Sequence, residues 1–109
     1  MRVPASGRIR SLLAVGAVVV GFPAAAQGHE ALYVRSLAAN CANCHGTNGS
    51  TVKDSAVPPV AGMPREYMLR QLAAFRDGSR PATVMHQIAK GFTQAQLDQI
   101  ATYFAGLKQ

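Results

Sequence analysis

The stretch Cys41-Ala42-Asn43-Cys44-His45 decides the fold of this chain. It has the form C-x-x-C-H, which is typical of covalent attachment of a c-type haem. The thiols add to the vinyl groups of the haem, and the imidazole binds the iron from one axial side. Positions i, i+3 and i+4 share one face of a helix, so all three side chains can reach the same ring. The motif therefore predicts one haem c attached through Cys41 and Cys44, with His45 as an axial ligand.

Other uses of two cysteines at this spacing are a disulfide, a thioredoxin-like redox pair and a structural zinc site. A structural zinc site needs four ligands, yet Cys41 and Cys44 are the only cysteines, and the other histidines, His29 and His86, lie far apart in sequence. The histidine directly after Cys44 favours haem over the disulfide and redox alternatives, which would leave that histidine unexplained.

The amino terminus has the composition of a secretory signal. Arg2, Arg8 and Arg10 form a basic region, residues 12–22 are apolar, and residues 24–26 are alanines that suit signal cleavage. A membrane-spanning helix needs about 20 apolar residues, so this segment is short for a permanent anchor, which is the alternative. We expect residues 1–26 to be removed on export to the periplasm and residues 27–109 to form one domain.

The charge of the chain changes once that signal is set aside. The full sequence has eleven basic and five acidic residues, and three of the basic residues lie in the predicted signal, which leaves a net charge of +3. The two propionates of a haem would lower it further. The sequence contains no basic run, so we expect no nucleic-acid partner. A mature chain of 83 residues is also small for an apolar core alone, and a haem would enlarge that core.

Helices are predicted on both sides of the haem motif. Residues 30–40 form the first, with Tyr33, Leu37 and Cys41 spaced along one face. The second starts at Pro64 and ends before Gly78, and its apolar stripe consists of Met68, Leu72 and Phe75. The glycines after the motif, Gly46 and Gly49, are expected to let the loop pass closely around the edge of the ring.

Two more helices are predicted near the carboxyl end. Residues 83–90 form a short one that is closed by Gly91. Thr93 with Gln96 three residues later forms a capping box for the last helix, whose apolar face contains Leu97, Ile100, Ala101 and Phe104. That face is expected to pack on the first helix. Strand signals are weak, so the sequence predicts a small all-α domain.

The second axial ligand decides between electron transfer and an open haem that binds or activates ligands. The candidates after residue 26 are Met63, Met68 and Met85. The ligand has to reach the face opposite His45, and Met85 follows after a loop, a helix and a turn. Met68 lies on a helical apolar stripe, where packing explains it. Met85 is therefore favoured, while Met63, Met68 and a histidine stay open as alternatives.

The two remaining histidines are expected to face solvent. His86 adjoins Met85, but neighbours on a helix point about 100° apart, so only one of the two could bind the iron. His29 lies close to the predicted mature amino terminus.

These residues together resemble the class I cytochrome c family over nearly the whole mature chain. The resemblance rests on Cys41-Ala42-Asn43-Cys44-His45-Gly46, Pro58, Val60-Ala61-Gly62, Tyr67, Gln71-Leu72, Phe75, Gly78, Arg80, Met85 and Gly91-Phe92-Thr93. Within that class, residues 80–91 are most similar to the cytochrome subunits of flavocytochrome c sulfide dehydrogenases, and also to dihaem cytochromes that repeat this domain.

The resemblance implies three to four helices around one covalent haem, with His45 and Met85 as the metal ligands. It implies that the Pro58 carbonyl accepts a hydrogen bond from the imidazole of His45, although the neighbouring Pro59 leaves open which carbonyl does so. It also places Tyr67 and Arg80 near the haem propionates.

Two classes of function follow from these expectations. The first is a carrier of single electrons that is not itself an enzyme, either free-standing or as the haem subunit of a flavin-containing sulfide dehydrogenase. The second is a gas-binding or catalytic haem protein with an open sixth site. A thiol–disulfide protein without haem is a third alternative.

Overall fold

A computed structural model of the chain describes residues 24–108. Within that range it contains four α-helices, one short 3₁₀ helix and no strand, which confirms the predicted all-α class. The elements are α1 Ala24–His45, the 3₁₀ helix Thr47–Gly49, α2 Arg65–Asp77, α3 Met85–Lys90 and α4 Gln94–Ala105. No helix in residues 24–108 is both long enough and apolar enough to span a membrane. The predicted basic and apolar regions of the signal lie outside the described residues, so the signal and its cleavage stay predictions.

The core forms where α4 packs against both α1 and α2. All four residues of the predicted apolar face of α4 are buried, and Phe104 is the largest fully buried side chain among the described residues. Leu37 and Ala38 of α1 and Met68 of α2 complete this cluster. The predicted packing of the last helix on the first is therefore confirmed, and Met68 is a core residue.

Helix α1 is longer than predicted, because it starts at Ala24 and continues through the C-x-x-C-H motif. Residues 29–45 contain no glycine or proline. The helix therefore continues to the end of the motif at His45. Tyr33 does not complete the buried stripe, since it is 44% exposed. Its hydroxyl accepts a hydrogen bond from Gln96 Nε2 at 3.1 Å, which ties the exposed edge of α1 to α4.

Helix α2 begins one residue after the predicted start and ends where predicted, before Gly78. Pro64 precedes its first turn, and Gly78 follows its end in the left-handed conformation, at φ 83°. Its first residue is joined to α4, because the Arg65 guanidinium donates to Asp98 Oδ1 at 2.9 Å and to Thr102 Oγ1 at 3.2 Å. Helix α3 is two residues shorter than predicted and packs on α2. Its carboxyl end is closed by Gly91, as expected.

The capping box of α4 supplies a prediction about stability. Thr93 Oγ1 accepts from Gln96 N at 3.2 Å, and Gln96 Oε1 accepts from Thr93 N at 2.9 Å. We expect Thr93→Ala to lower the free energy of unfolding by about 1 kcal/mol, because an amide of the first turn loses its partner. Thr93→Ser keeps the hydroxyl and should change it by less than about 0.3 kcal/mol. Denaturant unfolding of the mature protein measures both, and equal losses in the two variants would contradict the role of the cap.

Candidate haem site

The C-x-x-C-H motif lies on the last turns of α1. The helical ladder continues to its end, since Gly46 N donates to Ala42 O at 3.0 Å. At Gly46 the chain leaves the helix with φ 83°, and a Cβ there would collide with the carbonyl oxygen of Ser50. Only glycine fits this turn without strain. The helix therefore stops directly after His45, with both cysteines and the histidine within its last five residues.

The two thiols of the motif are free and differ in exposure. Cys41 is half-buried and packs against the core, whereas Cys44 is exposed. Burial raises the pKa of the Cys41 thiol, so this group stays protonated at neutral pH. A redox-active pair of the thioredoxin type depends on a readily formed thiolate. The environment of Cys41 thus disfavours that alternative.

His45 is held by the backbone of the following loop. Its Nδ1 lies 2.6 Å from the carbonyl oxygen of Pro58. A carbonyl can only accept, so Nδ1 carries the proton and donates it. The lone pair of the imidazole is then on Nε2, the nitrogen free to bind a metal. Of the two carbonyls that the sequence left open, that of Pro58 makes this contact.

The loop that carries Pro58 is anchored to buried backbone directly after Pro59. Gly49 O accepts from Val60 N at 2.8 Å and from Ala61 N at 3.1 Å, and Gly62 N donates to Phe104 O at 2.8 Å. Residues 60–62 are therefore fixed between the 3₁₀ helix and the end of α4. This network orients the His45 ring indirectly, because it sets the position of the Pro58 carbonyl.

Gly49 has a structural role in the site that differs from the role predicted for it. We expected the loop glycines to pass around the edge of a ring, but Gly49 is buried at φ 77° against this chain's own Val60 and Phe104. No local pattern identifies such a contact, because Gly49 and Phe104 are 55 residues apart.

The three candidate methionines occupy different environments. Met85 is the first residue of α3 and is half-buried. Met68 is 6% exposed in the core, and Met63 is half-buried against the same core cluster. The packing of Met68 and Met63 explains their presence without a metal. Met85 is not part of that cluster, and Val84 beside it is 55% exposed.

Tyr67 and Arg80, the residues that the resemblance placed near the propionates, both lie at the surface. Tyr67 is 43% exposed, and the Arg70 guanidinium lies 5.8 Å from the centroid of its ring. The Arg80 guanidinium lies 4.7 Å from the ring centroid of Phe75 and donates to Gln71 Oε1. Tyr67 and Gln71 are one turn apart on α2, so these groups share one side of the helix. A role of either residue toward propionates stays a prediction.

His86 was expected to face solvent, but the structure places it in a partly buried position. It is half-buried, and its Nε2 lies 2.6 Å from the carbonyl oxygen of Arg80. Its ring meets Phe75 edge-on, with the ring centroids 6.2 Å apart. No local sequence pattern predicts these contacts, because both partners reach His86 only through the turn between α2 and α3. His29 is exposed, as expected.

The residues present fit a covalently held haem. Two free thiols and an imidazole with a free Nε2 lie together at the end of α1, and they are the donors that such a group needs. The core of the described residues is small, since four of its nine buried apolar residues are alanines. Val84 and Ile88, on either side of Met85 along the chain, are 55% and 41% exposed. A flat apolar group would enlarge the buried apolar surface of such a domain.

Comparison with known proteins gives the family of the chain. The family model of cytochrome c matches residues 33–108, and the chain therefore belongs to the cytochrome c family. It is 41% identical over 73 residues to the cytochrome subunit of sulfide dehydrogenase of Chlorobaculum tepidum, a match that covers 67% of this chain. It is also 41% identical over 71 residues, 65% of this chain, to a thiosulfate dehydrogenase electron acceptor of Thiomonas intermedia. Among solved structures, a cytochrome c4 of Acidithiobacillus ferrooxidans matches 77% of this chain with a TM-score of 0.60 and 33% identity.

These relatives are longer than the present chain. The matched region covers 64% of the Chlorobaculum subunit, 33% of the Thiomonas protein and 50% of the cytochrome c4 chain. The expected resemblance and the class I cytochrome c fold are confirmed. The names of two of these relatives describe a cytochrome subunit and an electron acceptor of dehydrogenases.

Proposed function

We propose that this chain is a periplasmic electron carrier with one haem c, attached through Cys41 and Cys44 and ligated by His45 and Met85. One observation carries the proposal: the Pro58 carbonyl fixes the His45 ring so that Nε2 is free, on the same helix end that presents both thiols. When bound, a haem takes up and releases single electrons at its iron.

The chain's own residues suit electron transfer because they hold the His45 imidazole in a fixed orientation. The hydrogen bond from His45 to Pro58 fixes the tautomer and raises the basicity of the imidazole. The loop behind Pro58 is in turn fixed to the core by Gly49 and Gly62. A ligand that does not move on oxidation keeps the reorganisation energy of electron transfer small. Methionine as the second ligand would favour the reduced iron and raise the potential.

The sharper form of the proposal is that the chain is the haem subunit of a flavin-containing sulfide dehydrogenase. In that form a flavoprotein partner oxidises sulfide and passes electrons singly to this chain. The support is the 41% identity to the cytochrome subunit of sulfide dehydrogenase from Chlorobaculum tepidum. A free-standing carrier is the alternative, and the similarity to a thiosulfate dehydrogenase electron acceptor suits it equally well.

The mass of the exported protein tests haem attachment and processing together. We expect expression in a bacterium that matures c-type cytochromes to yield a periplasmic chain that begins at Gln27 and carries one haem. Cys44→Ala is the matched control, and it should retain at most one thioether and mature poorly. A wild-type mass equal to that of the bare polypeptide, with or without an internal disulfide, would contradict the proposal. A membrane-bound protein that still contains residues 1–26 would also contradict the proposal.

Co-purification then separates the two forms of the carrier. The native chain, isolated from its own organism with an affinity tag after Gln109, should bring down a larger flavin-containing polypeptide in equal amount if it is a subunit. Isolation as a single small haem protein would support the free-standing carrier and contradict the subunit form.

A further inference from the structure

Helix α3 cannot fix the position of Met85 by itself. It has only six residues, and a helix this short is not stable alone in water. Its amino end makes no side-chain capping bond, because the preceding residue is Val84. The direction of the Met85 side chain therefore depends on contacts that α3 makes with the rest of the molecule.

Two of these contacts are made by His86, the neighbour of Met85. His86 Nε2 lies 2.6 Å from Arg80 O, and since a carbonyl only accepts, Nε2 is the donor. The ring packs edge-on against Phe75 of α2, at 6.2 Å between the centroids. One side chain thus links the first turn of α3 to both the preceding turn and α2.

The partners of His86 are themselves held in place. Arg80 N donates to Ala74 O at 3.1 Å, which fixes the backbone of Arg80 on the last turn of α2. Its guanidinium covers the Phe75 ring and donates to Gln71 Oε1. The four residues Gln71, Phe75, Arg80 and His86 form one cluster, named here the Arg80–His86 cluster.

We propose that His86 is a positioning residue for Met85, acting through the Arg80–His86 cluster. Successive residues on a helix point about 100° apart, so fixing the direction of His86 also fixes that of Met85. The inference rests on the proposed ligation by Met85.

Displacement of Met85 by free imidazole tests the inference on the haem-loaded protein. The readout is loss of the sulfur-to-iron charge-transfer band of the ferric protein as imidazole is added. We expect His86→Ala to raise the apparent affinity for imidazole about tenfold, the effect of losing a hydrogen bond of about 1.4 kcal/mol. His86→Gln keeps a donor at similar reach and should stay within about threefold of wild type. His29→Ala, which removes an exposed histidine on α1 outside the cluster, should leave the affinity unchanged.

A second variant keeps the test decisive if His86→Ala folds poorly. Phe75→Leu retains apolar bulk but removes the aromatic edge under His86, and we expect it to raise the imidazole affinity about threefold. Denaturant unfolding of every variant is measured in parallel. Unchanged imidazole affinity in His86→Ala, or lower global stability without a change in affinity, would overturn the role of His86. A wild-type ferric protein without the charge-transfer band, or a Met85→Ala protein that retains it, would instead overturn ligation by Met85, and the inference with it.

Discussion

Met85→Ala is expected to keep its covalent haem while losing the sulfur-to-iron charge-transfer band and gaining ready binding of carbon monoxide. Attachment depends on Cys41 and Cys44 at the end of α1, whereas Met85 belongs to α3, which packs on α2. Without the thioether, the reduction potential should fall by on the order of 0.1 V or more, because axial ligands set haem potentials over about 0.8 V. Absorption spectroscopy and a redox titration measure both effects.

Met63→Ala is the matched control for this prediction. Met63 is also half-buried, but its contacts are with the core cluster, so its removal should lower stability and leave the charge-transfer band intact. The ligand assignment would be wrong if Met85→Ala kept the native potential, or if Met63→Ala was the variant that lost the band.

Gly49→Ala is expected to be among the most destabilising single substitutions in the loop after the haem motif. A Cβ at this position would lie 2.7 Å from Val60 Cγ2 and 2.9 Å from both Ala61 N and Phe104 Cδ1. The positive φ adds about 1–2 kcal/mol for a residue with a side chain. Overpacking adds about 1–3 kcal/mol, so the total loss in the free energy of unfolding is about 2–5 kcal/mol. Denaturant unfolding of the haem-loaded protein measures it.

Gly78→Ala separates the two causes of that loss. Gly78 has a similar φ of 83°, but a Cβ there would meet nothing within 4 Å. This variant should therefore lose only the conformational part, about 1–2 kcal/mol. Equal losses at the two glycines would show that the crowding at Gly49 has no energetic weight.

Local sequence signals were sufficient to predict the cap and the buried face of the last helix. The capping box of Thr93 and Gln96 and the stripe that ends at Phe104 are both contained within one element, and both were predicted correctly. Pro64 and Gly78 likewise mark the two ends of α2. Such features are readable because each depends on residues three or four positions apart.

The features that position the site were harder to predict because they depend on long-range contacts. The sequence could not decide between Pro58 and Pro59, since the answer depends on how Gly49 and Phe104 fix the loop. The partial burial of His86 was missed for another reason, because its contacts depend on the geometry of the turn between α2 and α3. Its partners Arg80 and Phe75 approach it only after the chain turns between α2 and α3.

The absorption spectrum of the ferric wild-type protein tests the central claim most directly, when it is recorded together with the spectrum of the reduced protein under carbon monoxide. His45 and Met85 as permanent ligands predict a sulfur-to-iron charge-transfer band in the ferric state and little reaction with carbon monoxide in the reduced state. A protein that carries covalent haem, lacks this band and binds carbon monoxide readily would contradict the electron-carrier function. It would indicate a haem with an open sixth site.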